Sequence, residues 1–187
     1  MALSGRLRDR GAVASACALL AFVGKAAAFD AVSLTVGHAP GVSSLRGALV
    51  WAPPREEFLP RWLEWTGADP RFEWGASVWH GRGGGSARGT LLGVGALPLL
   101  RWTFARAATA QPFVDFGVGP RLWTGTSIAP GHRFGTAFEF GTVLGAGLHQ
   151  PGYDVFVRVE HTSNGGIRQP NPGINFIQLG VSWNLGR

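Results

Sequence analysis

The sequence predicts an all-β fold, an eight-stranded antiparallel transmembrane β-barrel, and three observations support that prediction. Short segments in which apolar and polar residues alternate recur along the chain, separated by clusters of Gly, Pro and Asn. The polar face of these segments mixes Arg, Asp and Glu with small residues, which suits the narrow interior of a small barrel. Eight Trp and twelve Phe residues, many of them near segment ends, suit the aromatic girdles of a membrane protein.

The alternating segments number eight, and most reach the roughly 9–11 residues of a transmembrane strand. They are Ala31–Gly37, Ser44–Ala52, Phe72–His80, Thr90–Phe104, Gln111–Thr124, His132–Leu148, Tyr153–Ser163 and Ile174–Leu185. In the longest of them, Phe134, Phe138 and Phe140 share one face. A soluble β-sandwich would show the same alternation with its apolar face inward, so it remains the alternative fold.

Residues 1–28 are interpreted as a secretory signal peptide, which leaves 29–187 as a single barrel domain. Three arginines precede an apolar run from Gly11 to Val23, and Ala26-Ala27-Ala28 supplies a cleavage site. The run is short for a membrane-spanning helix, which needs about 20 residues. A lipoprotein signal that ends at Cys17 is a second alternative.

Charge and composition exclude several classes of function. Residues 1–28 hold four of the 17 basic residues and one of the 11 acidic ones, so the net charge of +6 falls to +3 without them. There is no basic stripe of the kind that nucleic-acid binding requires. The single Cys lies in the predicted signal peptide, and the isolated His38, His80, His132 and His149 lack metal-ligand spacing. We therefore expect no nucleic-acid partner and no metal.

Two polar residues near the end of the seventh segment are candidates for catalysis. Side chains alternate along a strand, so His161 and Ser163 project to the same side, together with an apolar row that begins at Tyr153. Across the hairpin, Asn175 of the eighth segment shares that face. On a barrel the face would meet lipid, where polar side chains are costly. The pattern suits a nucleophile (Ser163), a base (His161) and an orienting group (Asn175), although polar residues are also tolerated at a membrane rim.

The motif around these residues resembles a known family. His161-Thr162-Ser163-Asn164, followed by Gln169-Pro170-Asn171 and Gly173, is similar to the signature of the PagL family of outer-membrane lipid A 3-O-deacylases. A looser resemblance covers nearly all of residues 29–187. It implies an eight-stranded barrel in the outer membrane that removes the ester-linked 3-hydroxyacyl chain from position 3 of lipid A, without a cofactor. The implied partners are lipopolysaccharide and outer-membrane lipid; the oligomeric state stays open, with a homodimer as one option.

The resemblance also suggests residues that would bind the substrate. Asn164 matches the family Asn, and the turn around Gly166 and Asn171 falls where oxyanion donors are expected. Arg168 lies beside this turn, where it is either a ligand for a headgroup phosphate or a solvated loop charge.

One position departs from the family pattern. The family's His and Ser fall on His161 and Ser163, but its acidic third member, typically Glu, aligns with Asn175. An amide can accept the ring N–H and fix the imidazole tautomer, but it cannot neutralise an imidazolium. Outer-membrane phospholipase A has a similar His-x-Ser pair with an Asn as the orienting group.

Two other functions remain as alternatives. A phospholipase A-like esterase would use the same three residues, but that family has twelve strands. A non-enzymatic OmpA- or OmpX-like barrel for adhesion or structure would have no need for them on its lipid face. The remaining charged residues of the strands are predicted to line the barrel interior as ion pairs; they are Asp115, Arg121, Glu139, Arg158 and Glu160.

Overall fold

The computed structural model describes residues 29–81 and 89–186, in which ten strands and two short helices form. The strands are β1 (Ala31–Ala39), β2 (Val42–Trp51), β3 (Asp69–Gly81), β4 (Thr90–Thr103), β5 (Gln111–Trp123), β6 (Ser127–Ala129), β7 (His132–Arg133), β8 (Phe138–Gln150), β9 (Tyr153–Ser163) and β10 (Ile174–Asn184). The helices are α1 (Arg55–Phe58) and α2 (Arg61–Glu64). The predicted signal peptide lies outside the described residues, as does most of the glycine-rich loop after β3.

Eight of the strands close into an antiparallel barrel in the order β1-β10-β9-β8-β5-β4-β3-β2. This confirms the predicted fold class. The strands β6 and β7 form a separate two-stranded hairpin. Neither helix of the described chain is long and apolar enough to cross a membrane.

The two ends of the barrel differ in what they carry. At the terminus end, Ala31 pairs with Asn184, and the connections 52–68, 104–110 and 151–152 join neighbouring strands. At the opposite end, which we call the site end, a two-residue turn joins β1 to β2, the connections 124–137 and 164–173 join other strands, and β3 ends and β4 begins. The predicted catalytic residues all lie near the site end.

Ion pairs fill the barrel interior from wall to wall. Arg158 of β9 reaches Glu73 of β3 at 2.7 Å and Asp115 of β5 at 3.3 Å. The other interior pairs are Arg46–Glu73, Arg101–Asp115, Arg101–Asp154, Arg71–Asp154 and Arg121–Glu160. Such charges are tolerated away from water because each carboxylate is matched by a guanidinium with hydrogen-bonding geometry.

Small residues on the inner wall make room for these long side chains. A Cβ at Gly75 would lie 2.9 Å from the Arg46 guanidinium carbon, and one at Gly145 would lie 2.7 Å from Arg158 Cγ. The mixture of Gly and Arg that the sequence showed on the polar face is therefore a packing requirement of a narrow barrel.

The prediction that the charged strand residues face inward is confirmed. Asp115, Arg121, Arg158 and Glu160 are buried and paired. Glu139 is also completely buried, but neither of its carboxylate oxygens has a hydrogen-bond partner among the described residues. It therefore does not belong to the ion-pair network.

An apolar cap closes the site end. The β6–β7 hairpin places Ile128 against Gly81, where even a Cβ would clash with the Ile128 carbonyl. Beneath it, Trp79 and Trp123 stack with ring centroids 3.9 Å apart. The cluster also includes Ala39, Val42, Leu91, Ala129, Phe134, Ile174 and Phe176. These two tryptophans are interior residues, so the expectation that Trp forms membrane girdles does not hold for them.

The predicted sixth segment, His132–Leu148, is not one strand. The ladder breaks after Arg133, and β8 starts only at Phe138. Phe134, which the alternation put on the same face as Phe138 and Phe140, is buried beside Trp79 in the cap, with ring centroids 6.3 Å apart. Alternation shows which face of a segment is apolar, but it does not show which surface will cover that face. For Phe134 the covering surface is the apolar cap at the barrel mouth and not lipid.

Candidate active site

The structure brings the three predicted catalytic residues to one patch of the outer wall. His161 and Ser163 end β9, and Asn175 lies directly opposite His161 in the β9–β10 ladder. On the other side, His161 pairs with Thr142 of β8 and Ser163 pairs with Phe140. Because the inward residues Glu160 and Thr162 are buried in the same strand, the alternation places His161 and Ser163 outward as predicted.

A short hydrogen bond joins the imidazole to the amide. His161 Nδ1 lies 2.7 Å from Asn175 Oδ1. An amide oxygen only accepts, so this contact requires the proton on Nδ1 and leaves Nε2 of the neutral ring with a free lone pair. Among the described residues, Ser163 Oγ makes no hydrogen bond. Nucleophile and base contacts are often loose until a substrate binds, so this geometry is compatible with catalysis.

The site lies at the boundary between an apolar band and a polar rim. Toward the terminus end, the outward neighbours of the site are the exposed side chains of Val159 and Ile177. Ile177 in turn pairs with His38 of β1, which pairs with Ser43 of β2. The outer wall therefore turns polar at this height on several strands. The patch is part of a polar membrane rim and also contains the three predicted catalytic residues.

Asn164 organises the connection that follows β9. It is completely buried, its Nδ2 donates to the Arg168 carbonyl at 2.6 Å, and its Oδ1 accepts the Gly166 N–H at 3.0 Å. Its own N–H donates to Asn171 Oδ1 at 3.0 Å. All four predicted substrate-binding residues are thus linked by the hydrogen bonds of Asn164, whereas the Gly165 N–H has no partner among the described residues.

Two glycines that the motif did not explain turn out to shape the site. Gly173 has a φ of +66°, and a Cβ there would lie 2.7 Å from His161 Cε1. Gly135 of the β7–β8 connection approaches the loop so closely that its Cβ would lie 2.5 Å from the Arg168 carbonyl. Sequence reasoning missed both roles, because close approach between distant segments leaves no periodic signal.

Charge near the site comes from two exposed arginines. Arg168 lies in the connection itself, and its guanidinium makes no ion pair in the part of the chain that the structure describes. Arg133 of β7 lines the same surface cleft as Gln169 and Asn171. Within residues 29–81 and 89–186 there is no group of three His, Cys, Asp or Glu side chains that could hold a metal ion.

Comparison with known proteins gives a consistent result. Residues 57–184 match the family model described as lipid A 3-O-deacylase (PagL). The chain is 37% identical over 123 residues to the lipid A deacylase PagL of Bordetella bronchiseptica and 32% identical over 106 residues to that of Pseudomonas aeruginosa. These matches cover 65% and 56% of this chain, and 65% and 58% of the relatives, which is less than two thirds of either relative.

A solved structure agrees with the computed fold. The crystal structure of the outer membrane enzyme PagL superposes with a TM-score of 0.65 and 26% sequence identity, covering 82% of this chain and 98% of that one. This likeness, together with the closed barrel of this chain, places the protein in the outer membrane. Because the family model matches more than half of the residues of this chain, the chain belongs to the PagL family of lipid A 3-O-deacylases.

Proposed function

We propose that this protein is a serine esterase that hydrolyses the 3-O-linked 3-hydroxyacyl chain of lipid A. The observation that supports this most directly is the 2.7 Å contact between His161 and Asn175 on the outer wall, two residues from Ser163. Burying polar side chains in lipid is energetically costly, so a polar pair on a lipid-facing surface indicates a function. An imidazole held in one tautomer beside a serine has the arrangement of a general base with its nucleophile.

The reaction begins with proton transfer. His161 Nε2 accepts the Ser163 hydroxyl proton while Oγ attacks the ester carbonyl carbon, and the resulting tetrahedral intermediate carries an oxyanion. The C–O bond to the sugar then breaks, His161 returns the proton to the departing sugar oxygen, and an acyl-enzyme remains. A water molecule, deprotonated by His161, attacks this second ester; the bond to Ser163 Oγ then breaks, His161 returns the proton to Oγ, and the 3-hydroxy fatty acid is released. Asn175 keeps the proton on Nδ1 in the resting ring.

The loop after β9 supplies a donor for the oxyanion. We assign the Gly165 N–H as this donor, since it follows Ser163 by two residues and has no hydrogen-bond partner among the described residues. Asn164, Gly166 and Asn171 hold the loop in the conformation that presents this N–H, and the completely buried Asn164 side chain acts through these loop contacts. Loss of one oxyanion donor typically lowers the rate by about 10²–10³-fold.

The height of the site on the barrel fits a lipid ester. The ester groups of a membrane lipid lie between its acyl chains and its headgroup, and the site lies between the apolar band and the polar rim. Acyl chains would lie along the exposed Val159 and Ile177, and headgroup phosphates would lie near Arg168. Since lipopolysaccharide occupies the outer leaflet, the site end would face the outside of the cell.

Mass spectrometry of lipid A provides the test. Cells that express the wild-type protein should lose one 3-hydroxyacyl mass, with fragmentation placing the loss at position 3. Ser163→Ala and His161→Ala should each abolish the change while the barrel still folds. His38→Ala and Ser43→Ala are matched controls, because these two residues form a neighbouring His–Ser pair on the same rim and should be dispensable.

The outcomes separate the alternatives. Unchanged lipid A in cells with folded wild-type protein would overturn the proposal and favour a structural barrel. Release of fatty acid from glycerophospholipid, with lipid A intact, would instead indicate a phospholipase that uses the same residues. Loss of an acyl chain at another position would overturn only the 3-O assignment.

A further inference from the structure

The connection between β2 and β3 exposes two large aromatic side chains at the terminus end. Trp65 is 83% exposed, the highest value of any large apolar side chain among the described residues, and Trp62 is 70% exposed. Trp62 belongs to α2, and Trp65 continues its helical conformation as the C-cap residue. A spacing of three residues places both rings on one side of a helical turn. Exposed indoles of this size at a barrel end need an explanation.

The connection is attached to the outer wall of the barrel. Phe58 of α1 packs between Trp51 of β2 and Phe72 of β3, with ring centroids at 5.1 and 4.6 Å. Both strand residues point outward, since their neighbours Val50 and Glu73 are buried inside. At Phe58 the connection therefore lies against the lipid-facing surface of the wall.

A second contact fixes its far end. The indole N–H of Trp102, an outward residue of β4, donates to the Thr66 carbonyl at 3.0 Å. The segment is thus held to the outer wall across β2, β3 and β4, the strands whose exposed outward side chains include Trp74. Because the segment is attached to this lipid-facing wall, we infer that lipid covers its exposed indoles.

We propose that Trp62 and Trp65 form a membrane anchor that inserts into the headgroup region of the leaflet at the terminus end. Tryptophan favours this depth because its ring is apolar while its N–H requires a polar partner. The helices carry Arg55 and Arg61 against Glu56, Glu57 and Glu64, a net charge of −1. Anchoring therefore rests on burial of the rings and does not require anionic lipid.

The position of the anchor gives it a mechanical role. In the ring of eight strands, β3 lies four places from β9, so the anchor and the candidate active site occupy opposite walls as well as opposite ends. Two contacts placed diagonally across the barrel fix its depth in the bilayer better than one. The anchor would thereby help to keep Ser163 at the height of the substrate ester, although its own membrane contact does not depend on the proposed activity.

Fluorescence quenching tests the anchor directly. The full barrel is reconstituted in phosphatidylcholine vesicles, and the signal of the two residues is obtained as wild type minus the Trp62→Phe/Trp65→Phe variant. Phenylalanine removes the emission but retains an apolar ring. We expect lipids brominated near the headgroup to quench most of this signal and aqueous acrylamide to quench little of it. Adding phosphatidylglycerol should not change the result.

Single variants calibrate the measurement. The signal lost in Trp74→Phe should be quenched by lipids brominated deeper in the acyl chain. The signal lost in Trp79→Phe should be quenched by neither brominated lipid nor acrylamide, because Trp79 is inside the cap. Quenching of the Trp62 and Trp65 signal by acrylamide alone would overturn the proposal. The proposal would also be overturned if neither quencher reduced the Trp62 and Trp65 signal until the protein was diluted in lipid. That outcome would indicate that the two rings contact a second copy of the chain. Circular dichroism confirms that each variant has folded.

Discussion

The two faces of β9 carry polar side chains for opposite reasons. On the inner face, Arg158 and Glu160 are buried and each is held by charged partners on distant strands. On the outer face, His161 has one hydrogen bond, to the neighbouring strand, and Ser163 has none among the described residues. Buried polar groups that are ion-paired stabilise the barrel, whereas outward polar groups with few partners remain available for a substrate.

This difference predicts that substitutions on the two faces will separate stability from activity. An inner-face change should alter how much barrel folds while leaving the activity of each folded molecule nearly unchanged. An outer-face change should do the reverse. The following variants test this separation, from the largest expected effect to the smallest.

Arg158→Ala should be the most damaging change to the fold. It leaves Glu73 and Asp115 buried with fewer partners, and removing one member of a buried pair typically costs about 3–5 kcal/mol. Urea unfolding of the reconstituted barrel measures the loss. Arg168→Ala is the matched control, because that exposed arginine should change stability by no more than about 0.5 kcal/mol. Equal losses of unfolding free energy in the two variants would contradict the conclusion that the inner-face ion pairs stabilise the barrel.

Asn175→Ala should lower activity with little effect on folding. Without the amide oxygen, His161 Nδ1 loses its 2.7 Å partner, and we expect kcat to fall by roughly 10²-fold, less than the ~10⁴-fold cost of enforcing the wrong tautomer. Asn175→Glu should have equal or higher activity than the wild type, because a carboxylate also stabilises the imidazolium. Deacylation kinetics on purified lipid A measure both variants. A wild-type rate in Asn175→Ala would remove Asn175 from the mechanism.

Gly173→Ala should have a smaller effect, of about tenfold in kcat. The added methyl would lie 2.7 Å from His161 Cε1 and would force the ring to move, and a misplaced catalytic group can cost that much or more. The matched control is Gly152→Ala at the terminus end, which also has a positive φ but meets no atom within 4 Å. Similar kinetic losses in both variants would show that backbone strain, and not contact with His161, is responsible.

Glu139→Gln should have the smallest effect, a change of less than about 1 kcal/mol in the free energy of unfolding. Neither oxygen of Glu139 has a hydrogen-bond partner among the described residues, so the substitution removes no bond. Glu73→Gln is the matched comparison on the same inner face, and it should destabilise clearly because Glu73 accepts from both Arg46 and Arg158. The contrast is read from paired unfolding curves.

Much of the outer-wall patch could be predicted because it depends on local rules. Alternation fixed the faces of β9 and β10, and the hairpin between them brought Asn175 opposite His161. The roles of Asn164 and Gly173 could not be predicted in the same way. Their contacts depend on how the loop folds back over β9, which alternation does not encode. The prediction for Phe134 was wrong for a related reason, since the surface that buries this residue belongs to other strands.

The sequence by itself determined the barrel, its inward and outward residues and the grouping of His161, Ser163 and Asn175, because strand periodicity and hairpin register are local properties of the chain. Only the tertiary structure decided which charges meet across the interior, that the β6–β7 hairpin caps the site end, and that the loop after β9 engages its own polar groups. It also attached the connection that carries Trp62 and Trp65 to the outer wall. Each of these depends on the closure of the barrel, which brings together residues that are far apart in sequence.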